Sequence, residues 1–361
     1  MLPKIAVQVI SYHSVDASND LTRLFESLTN VDYPRDRWHI VVIDNPSHTG
    51  RMDAWIDTHW RAHVGVELPS MEVISSPVND GYAGGHVRGW EASLRFGASW
   101  VYLTNQDAVM SPDALQVVAA RGESCSRIGL VQSLILLQQN PERVNSIGNC
   151  LHFLGFGFSN GNGKRLADVV RDTPHFYASG AGMLVRTEAV ERAGGLFDPF
   201  YFMYHEDVDL AWRMRLCGYD VAVEERSIVF HRYEFHRSIE KFFWMERNRI
   251  VTLFTHLKIG TLVLIAPALF AMELGLLLYA IKGGWLKKRV SVYASLVRPS
   301  TRRFMRKRRR AIVALRKQTD RAMLQHMVGR IEVDDAPSLT LRAANVLLNR
   351  YFCVLKRLIF W

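Results

Sequence analysis

A mostly apolar run, Ile5-Ala-Val-Gln-Val-Ile10, ends at the polar stretch Ser11-Tyr12-His13-Ser14. Behind it, Leu21, Leu24, Phe25 and Leu28 recur at helical spacing on one face. The same alternation repeats three times. His39-Ile-Val-Val-Ile43 predicts a second strand ending at Asp44-Asn45, and Val73-Ile-Ser-Ser76 predicts a third. A helix is predicted around Val87–Phe96, then a fourth strand, Trp100-Val-Tyr-Leu103, ending at Thr104-Asn105-Gln106-Asp107. Short apolar runs separated by amphipathic helices predict an open, mainly parallel α/β sheet with helices on both faces. Ligands of such sheets sit at the carboxyl ends of the strands, where Asp44 and Asp107 both fall.

From 111 to 240 the pattern is a mixture of short strands, helices and turns. Gly155-Phe-Gly-Phe-Ser-Asn-Gly-Asn-Gly163 predicts a surface loop or hairpin. Ile259–Ile281 is long enough to cross a membrane and carries one charge, Glu273, and one proline, Pro267. Arg247, Arg249 and Lys258 precede it and a strongly basic stretch follows. A single crossing would leave one basic flank outside, against the positive-inside tendency. The expectation is therefore a re-entrant or in-plane helical hairpin, broken near Pro267, with both flanks cytoplasmic. A buried pair of soluble helices is the alternative. The tail, Leu339–Trp361, is helix-like, with Arg342, Asn345, Asn349 and Lys356 sharing a face. Such a helix suits a membrane surface or the flank of a globular domain equally well.

Composition adds a bound on size and compartment. The chain has 361 residues, 48% of them hydrophobic, enough for one large core or a core with an accessory module. No targeting signature precedes the first strand. Cys125, Cys150, Cys217 and Cys353 lack paired spacing and read as reduced thiols, which makes a cytoplasmic catalytic domain the expectation. The charge is unevenly placed. Residues 282–321 hold fifteen Lys or Arg and one acid, Asp320, while the whole chain carries a net +10. The globular part is thus slightly acidic. The basic stretch suggests anionic lipid or nucleic acid, and the apolar segment before it favours lipid.

Several constellations carry candidate chemistry. Asn105-Gln106-Asp107 ends a strand, and its oxygen ligands suit a hard divalent cation that neutralises a diphosphate. A helix cap is the plainer role for Asp107. Asn79-Asp-Gly81-Tyr-Ala-Gly84-Gly85-His-Val-Arg-Gly89 is a Gly-rich loop entering a helix, where backbone N–H groups and the helix dipole favour phosphate. It is neither a P-loop nor a dinucleotide fingerprint, and tight helix packing explains it as well. Gly180-Ala181-Gly182 lets a ligand approach the backbone closely. Glu206, Asp207 and Asp209 stand together, and a carboxylate in a partly buried pocket can take a proton from a hydroxyl. The like charge of Glu206 and partial burial should raise the proton affinity of Asp207. Asp209 is expected to cap or salt-bridge the helix that follows. All three acids could instead simply open a helix and complement its dipole.

Taken in order, these segments resemble family 2 glycosyltransferases, inverting enzymes of GT-A fold. The similarity covers roughly residues 4–255 and is nearest to the bacterial rhamnosyltransferase-like branch, whose C-terminal extension Phe242–Leu257 and the Leu-rich stretch also resemble. Several implications follow from the resemblance. Residues 1–255 would be the catalytic domain, with a nucleotide-sugar half (1–110) and an acceptor half (111–255). Residues 256–361 would be a membrane-associating helical region with the basic stretch.

Donor contacts would come from Ser11 and Tyr12 (base and ribose), Asp44 (base edge), Asn79, Gly81, Gly84, Gly85, Asn105, Gln106 and Asp107. Asp107 and His231 would hold Mn²⁺ or Mg²⁺, imidazole suiting the former better, with His236 a weaker second ligand. Asn105 stands where the Asp-x-Asp metal motif has its first acid. Asp207 would be the general base, Glu206 would orient it or hold the acceptor, and Gly180, Ala181 and Gly182 would lie against the acceptor.

The function so implied is metal-dependent hexosyl transfer from a dTDP- or UDP-sugar, rhamnose favoured. The acceptor would be lipid-linked or a polysaccharide, in cell-surface glycan synthesis at the cytoplasmic face of the plasma membrane. An anionic membrane surface is an expected partner, nucleic acid is not, and a homodimer is possible. A processive synthase is disfavoured, because the chain has one apolar segment and no Gln-x-x-Arg-Trp motif. A catalytically silent nucleotide-sugar-binding protein is the other alternative, raised by Asn105.

Overall fold

The computed structural model describes residues 2–232, 239–331 and 339–361. Its first half follows the predicted alternation: β1 (Ile5–Tyr12), α1 (Ala17–Thr29), β2 (Trp38–Asn45), α2 (Asp53–Trp60), β3 (Ser70–Ser75), α3 (Gly81–Arg95) and β4 (Trp100–Asn105). There follow β5 (Ala108–Met110), α4 (Ala114–Glu123), β6 (Ile128–Leu137), β7 (Asn140–Ser146), β8 (Asn149–Leu151), β9 (Gly157–Ser159), β10 (Gly182–Arg186), α5 (Thr187–Arg192), α6 (Glu206–Leu216) and β11 (Asp220–His231). The main sheet runs β3-β2-β1-β4-β10-β6-β11-β5, with β7 beside β6. The β3-β2-β1-β4 half is parallel, β10 is antiparallel to both its neighbours, and β6 and β11 are again parallel. β8 and β9 pair as a separate hairpin, as the glycine-rich 155–163 stretch predicts.

The strands are apolar on both sides, as strands with helices on both faces must be. Ile5, Val7 and Val9 of β1, with Ile40, Val42, Trp100 and Tyr102, pack under α1, α2 and α4. Ala6, Val101, Leu103, Met183 and Val185 point the other way, toward Val208 and Trp212 of α6. Registers Ser11↔Asp44, Tyr12↔Asn45 and Ile10↔Asn105 bring three polar strand ends to one edge.

The C-terminal third is helical: α7 (Ile239–His256), α8 (Ile259–Lys282), α9 (Leu286–Val297), α10 (Pro299–Leu315), α11 (Asp320–Gln325) and α12 (Leu339–Leu358). Leu253, Ile265, Ile312, Phe352, Leu355 and Ile359 join the same apolar cluster as Trp212. Of the two roles open to the tail helix, its buried face takes packing: Phe153 stacks on Phe352 at 5.2 Å.

The hairpin expected at Pro267 does not form. α8 is one continuous helix of 24 residues with Pro267 inside it. Proline removes one N–H and disfavours the preceding turn. Here Val263, whose carbonyl loses its partner, and Pro267 are both exposed residues. Among the described residues α8 is the one helix long and apolar enough to cross a membrane. Ile259, Val263, Phe270, Leu274 and Leu278 make an exposed stripe at helical spacing, so α8 is not a core helix either. Its one acidic residue, Glu273, faces inward to Arg249 and Arg289.

Candidate active site

The donor-side edge is built on the ends of β1 and β2. The Ser11 hydroxyl donates to Asp44 Oδ1 at 2.7 Å and the Met52 N–H to the same oxygen at 3.1 Å. Asp44 is buried, which raises its proton affinity against these hydrogen bonds, and its Oδ2 has no hydrogen-bond partner. Arg51 stands 3.7 Å from that oxygen. Gln106 closes on the half-exposed Tyr12: it accepts the Tyr12 N–H at 2.7 Å and donates to the Tyr12 carbonyl at 3.1 Å.

The Gly-rich segment opens α3 and does more packing than its sequence implies. Gly81 has φ 67°, and a Cβ there would overlap the Phe202 carbonyl. A Cβ at Gly85 would lie 2.8 Å from Ile10, and one at Gly84 2.6 Å from Asp80. The N–H groups of Gly81, Ala83 and Gly84 are taken by Asn79 Oδ1, Phe202 O and Asp80 O at 2.9, 3.0 and 3.2 Å. The phosphate cradle inferred from the glycines therefore lacks those three donors. Gly180 departs in a similar way: its bare Cα makes room for the Tyr82 hydroxyl, which donates to the Gly180 carbonyl at 2.8 Å. The Ala181 carbonyl accepts from Thr104 at 3.1 Å, and Gly182 begins β10.

Asn105, Asp107 and His231 come together because β5 pairs with β11, Ala108 opposite His231. His231 Nε2 lies 3.1 Å from Asn105 Nδ2 and 3.2 Å from Asp107 Oδ1. Its Nδ1 is 3.1 Å from Asn145 Oδ1, and Asn145 Nδ2 in turn donates to Asn162 Oδ1 at 3.1 Å. With Nδ1–H given to Asn145, Nε2 accepts the Asn105 amide N–H and also faces Asp107 Oδ1. A cation held by His231 and Asp107 would take the place of that amide N–H. Their spacing suits neighbouring ligands on one cation with bonds of about 2.1 Å, and the partner on the far nitrogen is how metal-ligating histidines are oriented. The pair thus fits a divalent cation. Among the described residues no group of three or more His, Cys, Asp or Glu forms a metal cluster. His236 lies outside the described residues. Asn145 is a partner that the sequence gives no sign of.

Glu206 and Asp207 start α6, directly after an unusual backbone stretch: Phe202, Tyr204 and His205 all have positive φ, 62°, 65° and 67°. Non-glycine residues rarely adopt this region, and clusters of them mark sites where geometry is imposed. The two acids are not equivalent. Glu206 is buried, its Oε2 without a hydrogen-bond partner, and burial, then the charge of Asp207, push its carboxyl well above the usual range. Asp207 is half-buried, and burial lifts it to about 7, offset in part by the Val208 N–H at 2.8 Å. The expected upward shift is present. Its leading cause is burial, and the like-charge effect acts on Glu206. Both carboxyls are shifted toward the protonated form, Glu206 by burial and the charge of Asp207, Asp207 chiefly by burial.

Asp209 takes the structural role expected of it. Buried, it meets Arg213 at 2.9 Å, the Tyr201 hydroxyl at 3.1 Å, His256 at 3.3 Å, and Arg308. Burial alone would raise it, but the Arg308 and Arg213 guanidinium groups hold it well below the usual carboxylate range.

Residues 3–250 match the family model described as "Glycosyltransferase like family 2", well over half of the chain. Solved structures share the fold at low identity. The crystal structure of GalNAc-T7 with UDP, GalNAc and Mn²⁺ is 13% identical with a TM-score of 0.54, over 70% of this chain. This chain spans about half of that one, 48%. S. aureus TarS is 13% identical with a TM-score of 0.52, over 98% of this chain and 55% of its own. The 1-349 fragment of TarS in complex with UDP-GlcNAc is 12% identical with a TM-score of 0.50, covering 98% and 90%. No curated protein sequence matches the chain. Together with the mixed sheet and its GT-A-like order of elements, the family match gives the identification: the chain belongs to glycosyltransferase family 2, nucleotide-sugar-dependent transferases of GT-A fold.

Proposed function

We propose that the protein is an inverting glycosyltransferase with Asp207 as its general base. It transfers a sugar from a dTDP- or UDP-sugar, rhamnose favoured by resemblance, to a lipid-linked or polysaccharide acceptor. The observation that carries the reading is the unequal pair at the start of α6: a buried Glu206 with an unpartnered Oε2 beside a half-buried Asp207 lifted to about 7. A base works best when its pKa lies near the working pH. Asp207 takes the proton of the acceptor hydroxyl as that oxygen bonds to the anomeric carbon. The bond from that carbon to the diphosphate oxygen breaks with its electron pair, and the nucleoside diphosphate leaves from the opposite face. Glu206, as a neutral acid, donates a hydrogen bond to the acceptor and does not compete for its proton. Ser11, Tyr12 and Asp44 hold the nucleoside at the β1 and β2 ends. Asp107 and His231 would hold a divalent cation, Mn²⁺ or Mg²⁺, which would supply charge neutralisation to the departing diphosphate.

The Asn105 amide occupies His231 Nε2 at 3.1 Å, which favours weak metal binding and keeps a catalytically silent nucleotide-sugar-binding protein as the second reading. Asn105→Asp separates the two. On the catalytic reading it lowers the Mn²⁺ needed for half-maximal release of nucleoside diphosphate by about tenfold, measured by titrating Mn²⁺ against turnover. Nucleotide binding without turnover at any Mn²⁺ concentration, in wild type and variant alike, supports the silent reading.

The enzyme is proposed to work at the cytoplasmic face of the plasma membrane, with α8 lying in the membrane plane. The support is the exposed stripe of α8, with Phe270 73% and Val263 64% exposed, and the exposed cations Lys282, Lys287, Arg302, Arg303, Arg306 and Lys307. Apolar insertion plus several cations, each worth about 1 kcal/mol at an anionic surface, gives salt-sensitive binding. Co-sedimentation with phosphatidylglycerol vesicles is expected to exceed that with phosphatidylcholine vesicles. It should weaken in high salt, and Phe270→Glu with Leu274→Glu should abolish it. Equal binding to both vesicle types, or none, contradicts this placement.

A further inference from the structure

The backbone that presents Glu206 and Asp207 is held from behind by two consecutive residues of α7. Asn248 is fully buried. Its Nδ2 reaches the carbonyls of Tyr201, Met203 and Tyr204 at 2.9, 3.0 and 2.7 Å. Its Oδ1 accepts from Arg247 Nε and Nη2 at 2.9 and 2.6 Å. Arg247 Nη2 also donates to the Phe200 carbonyl at 2.5 Å. The guanidinium lies over the Phe200 and Trp244 rings at 4.2 and 4.4 Å, and Trp244 stacks on Phe202 at 4.7 Å. Every residue from 200 to 204 is therefore tied to α7 by its carbonyl or its ring. Two bulky residues of this segment, Phe202 and Tyr204, hold positive φ, as does His205 directly after it, a state that lasts only where the surroundings over-determine it. From the other side, the Phe202 carbonyl accepts the Ala83 N–H at 3.0 Å, and Gly81 leaves it the space.

We infer that Arg247 and Asn248 are positioning residues. They impose the left-handed backbone that aims Asp207, and through Phe202 they fix the base against the donor-side loop at the start of α3. The inference rests on Asp207 being the base. The residue type is demanding. Only a side-chain amide of this length offers N–H groups to a fan of carbonyls and an oxygen to the neighbouring guanidinium. Aspartate would set a carboxylate against three carbonyl oxygens. The clamp touches neither reacting atom, so its loss should act on the rate of the chemical step and on the burial of Asp207, and hardly at all on donor binding.

The experiment uses the full chain. Wild type, Asn248→Ala and Arg247→Lys are compared for kcat, donor KM, the pH dependence of kcat and thermal melting, with Asp207→Asn alongside. Misplacement of a catalytic group by about 1 Å costs roughly 100-fold, and a loss of that order in kcat is expected for Asn248→Ala, with donor KM within about twofold of wild type. Its acid limb should move below that of wild type, because a loosened Asp207 is better hydrated. Arg247→Lys keeps the charge and one donor, so it should fall between the two in both kcat and limb. A folded Asn248→Ala with wild-type kcat and limb overturns the inference. So does a rise in donor KM that accounts for the whole loss. If Asn248→Ala does not fold, Arg247→Lys decides by the same two readouts. If Asp207→Asn retains wild-type turnover, the assignment of the base fails and the clamp falls with it. If Asp207→Asn is inactive and both α7 variants behave as wild type, only the clamp fails.

Discussion

Asp207→Asn is expected to release nucleoside diphosphate about 1,000-fold more slowly than wild type, within the 10²–10⁴ range for losing a positioned general base. The change keeps size and hydrogen-bonding capacity, so the start of α6 should survive it. The pH dependence follows from the same group. Asp207 is lifted to about 7 by burial, and a base acts only when unprotonated. Wild-type turnover should therefore be full above about pH 8 and fall tenfold per unit below about pH 6. The residual activity of Asp207→Asn should lack that limb. Stability moves the opposite way. The folded pKa lies above the ordinary 3.8, so the folded chain holds this proton more tightly than the unfolded chain does. The stability it contributes is complete below about pH 4 and is lost as pH rises through about 7. Asp207→Asn should thus melt higher than wild type at pH 8 and match it at pH 4. A flat rate profile from pH 5 to 8 with unchanged melting rules out Asp207 as the titrating base.

Asp209→Ala, two residues along the same helix, is expected to damage the fold and not the chemistry. It would leave Arg213, Arg308 and His256 buried around a vacant anion site. Removing one partner of a buried ion pair costs about 3–5 kcal/mol, a large share of the roughly 5–15 kcal/mol that keeps a domain folded. Melting should drop by about 10 °C, with expression falling accordingly. Arg308→Ala removes one of two guanidinium partners and leaves Arg213 at 2.9 Å, so its cost should be smaller. An Asp209→Ala protein that melts like wild type would show that these contacts do not bear on stability. The network also changes the meaning of the basic stretch. Arg308 and Arg289 neutralise buried acids, while Arg309 and Arg316 bond backbone carbonyls of Phe254, Leu257 and His256. Part of the basic stretch faces inward and pins α9 to α7 and α10 to α6 and α7.

What could be read from the chain alone divides along the range of the interactions. Strand ends were legible because apolar runs stop where β1, β2 and β4 stop, and this placed Ser11, Asp44 and Asn105 on one edge. Glu206 and Asp207 were legible as a pair, and the direction of the Asp207 shift followed from burial, whereas the like-charge effect expected at Asp207 acts on Glu206. The roles of the glycines were not, because the need for a bare Cα at Gly81, Gly85 and Gly180 comes from Phe202, Ile10 and Tyr82, distant in sequence. Asn145 behind His231 and Asn248 behind Tyr204 escaped for the same reason, at separations of 86 and 44 residues. The break expected at Pro267 failed on magnitude. One proline costs a helix about 3 kcal/mol, which the packing of Ile265 and the inward pairing of Glu273 across a 24-residue helix can offset.

The central claim is nucleotide-sugar transfer based on Asp207. Its most direct test is release of UDP or dTDP from a panel of nucleotide sugars, by wild type and Asp207→Asn, with Mn²⁺ or Mg²⁺ and a membrane lipid extract as acceptor source. The expected result is metal-stimulated turnover of one donor by wild type, lost in the variant. Failure of the folded protein to bind any nucleotide, or equal turnover by both proteins, would contradict it.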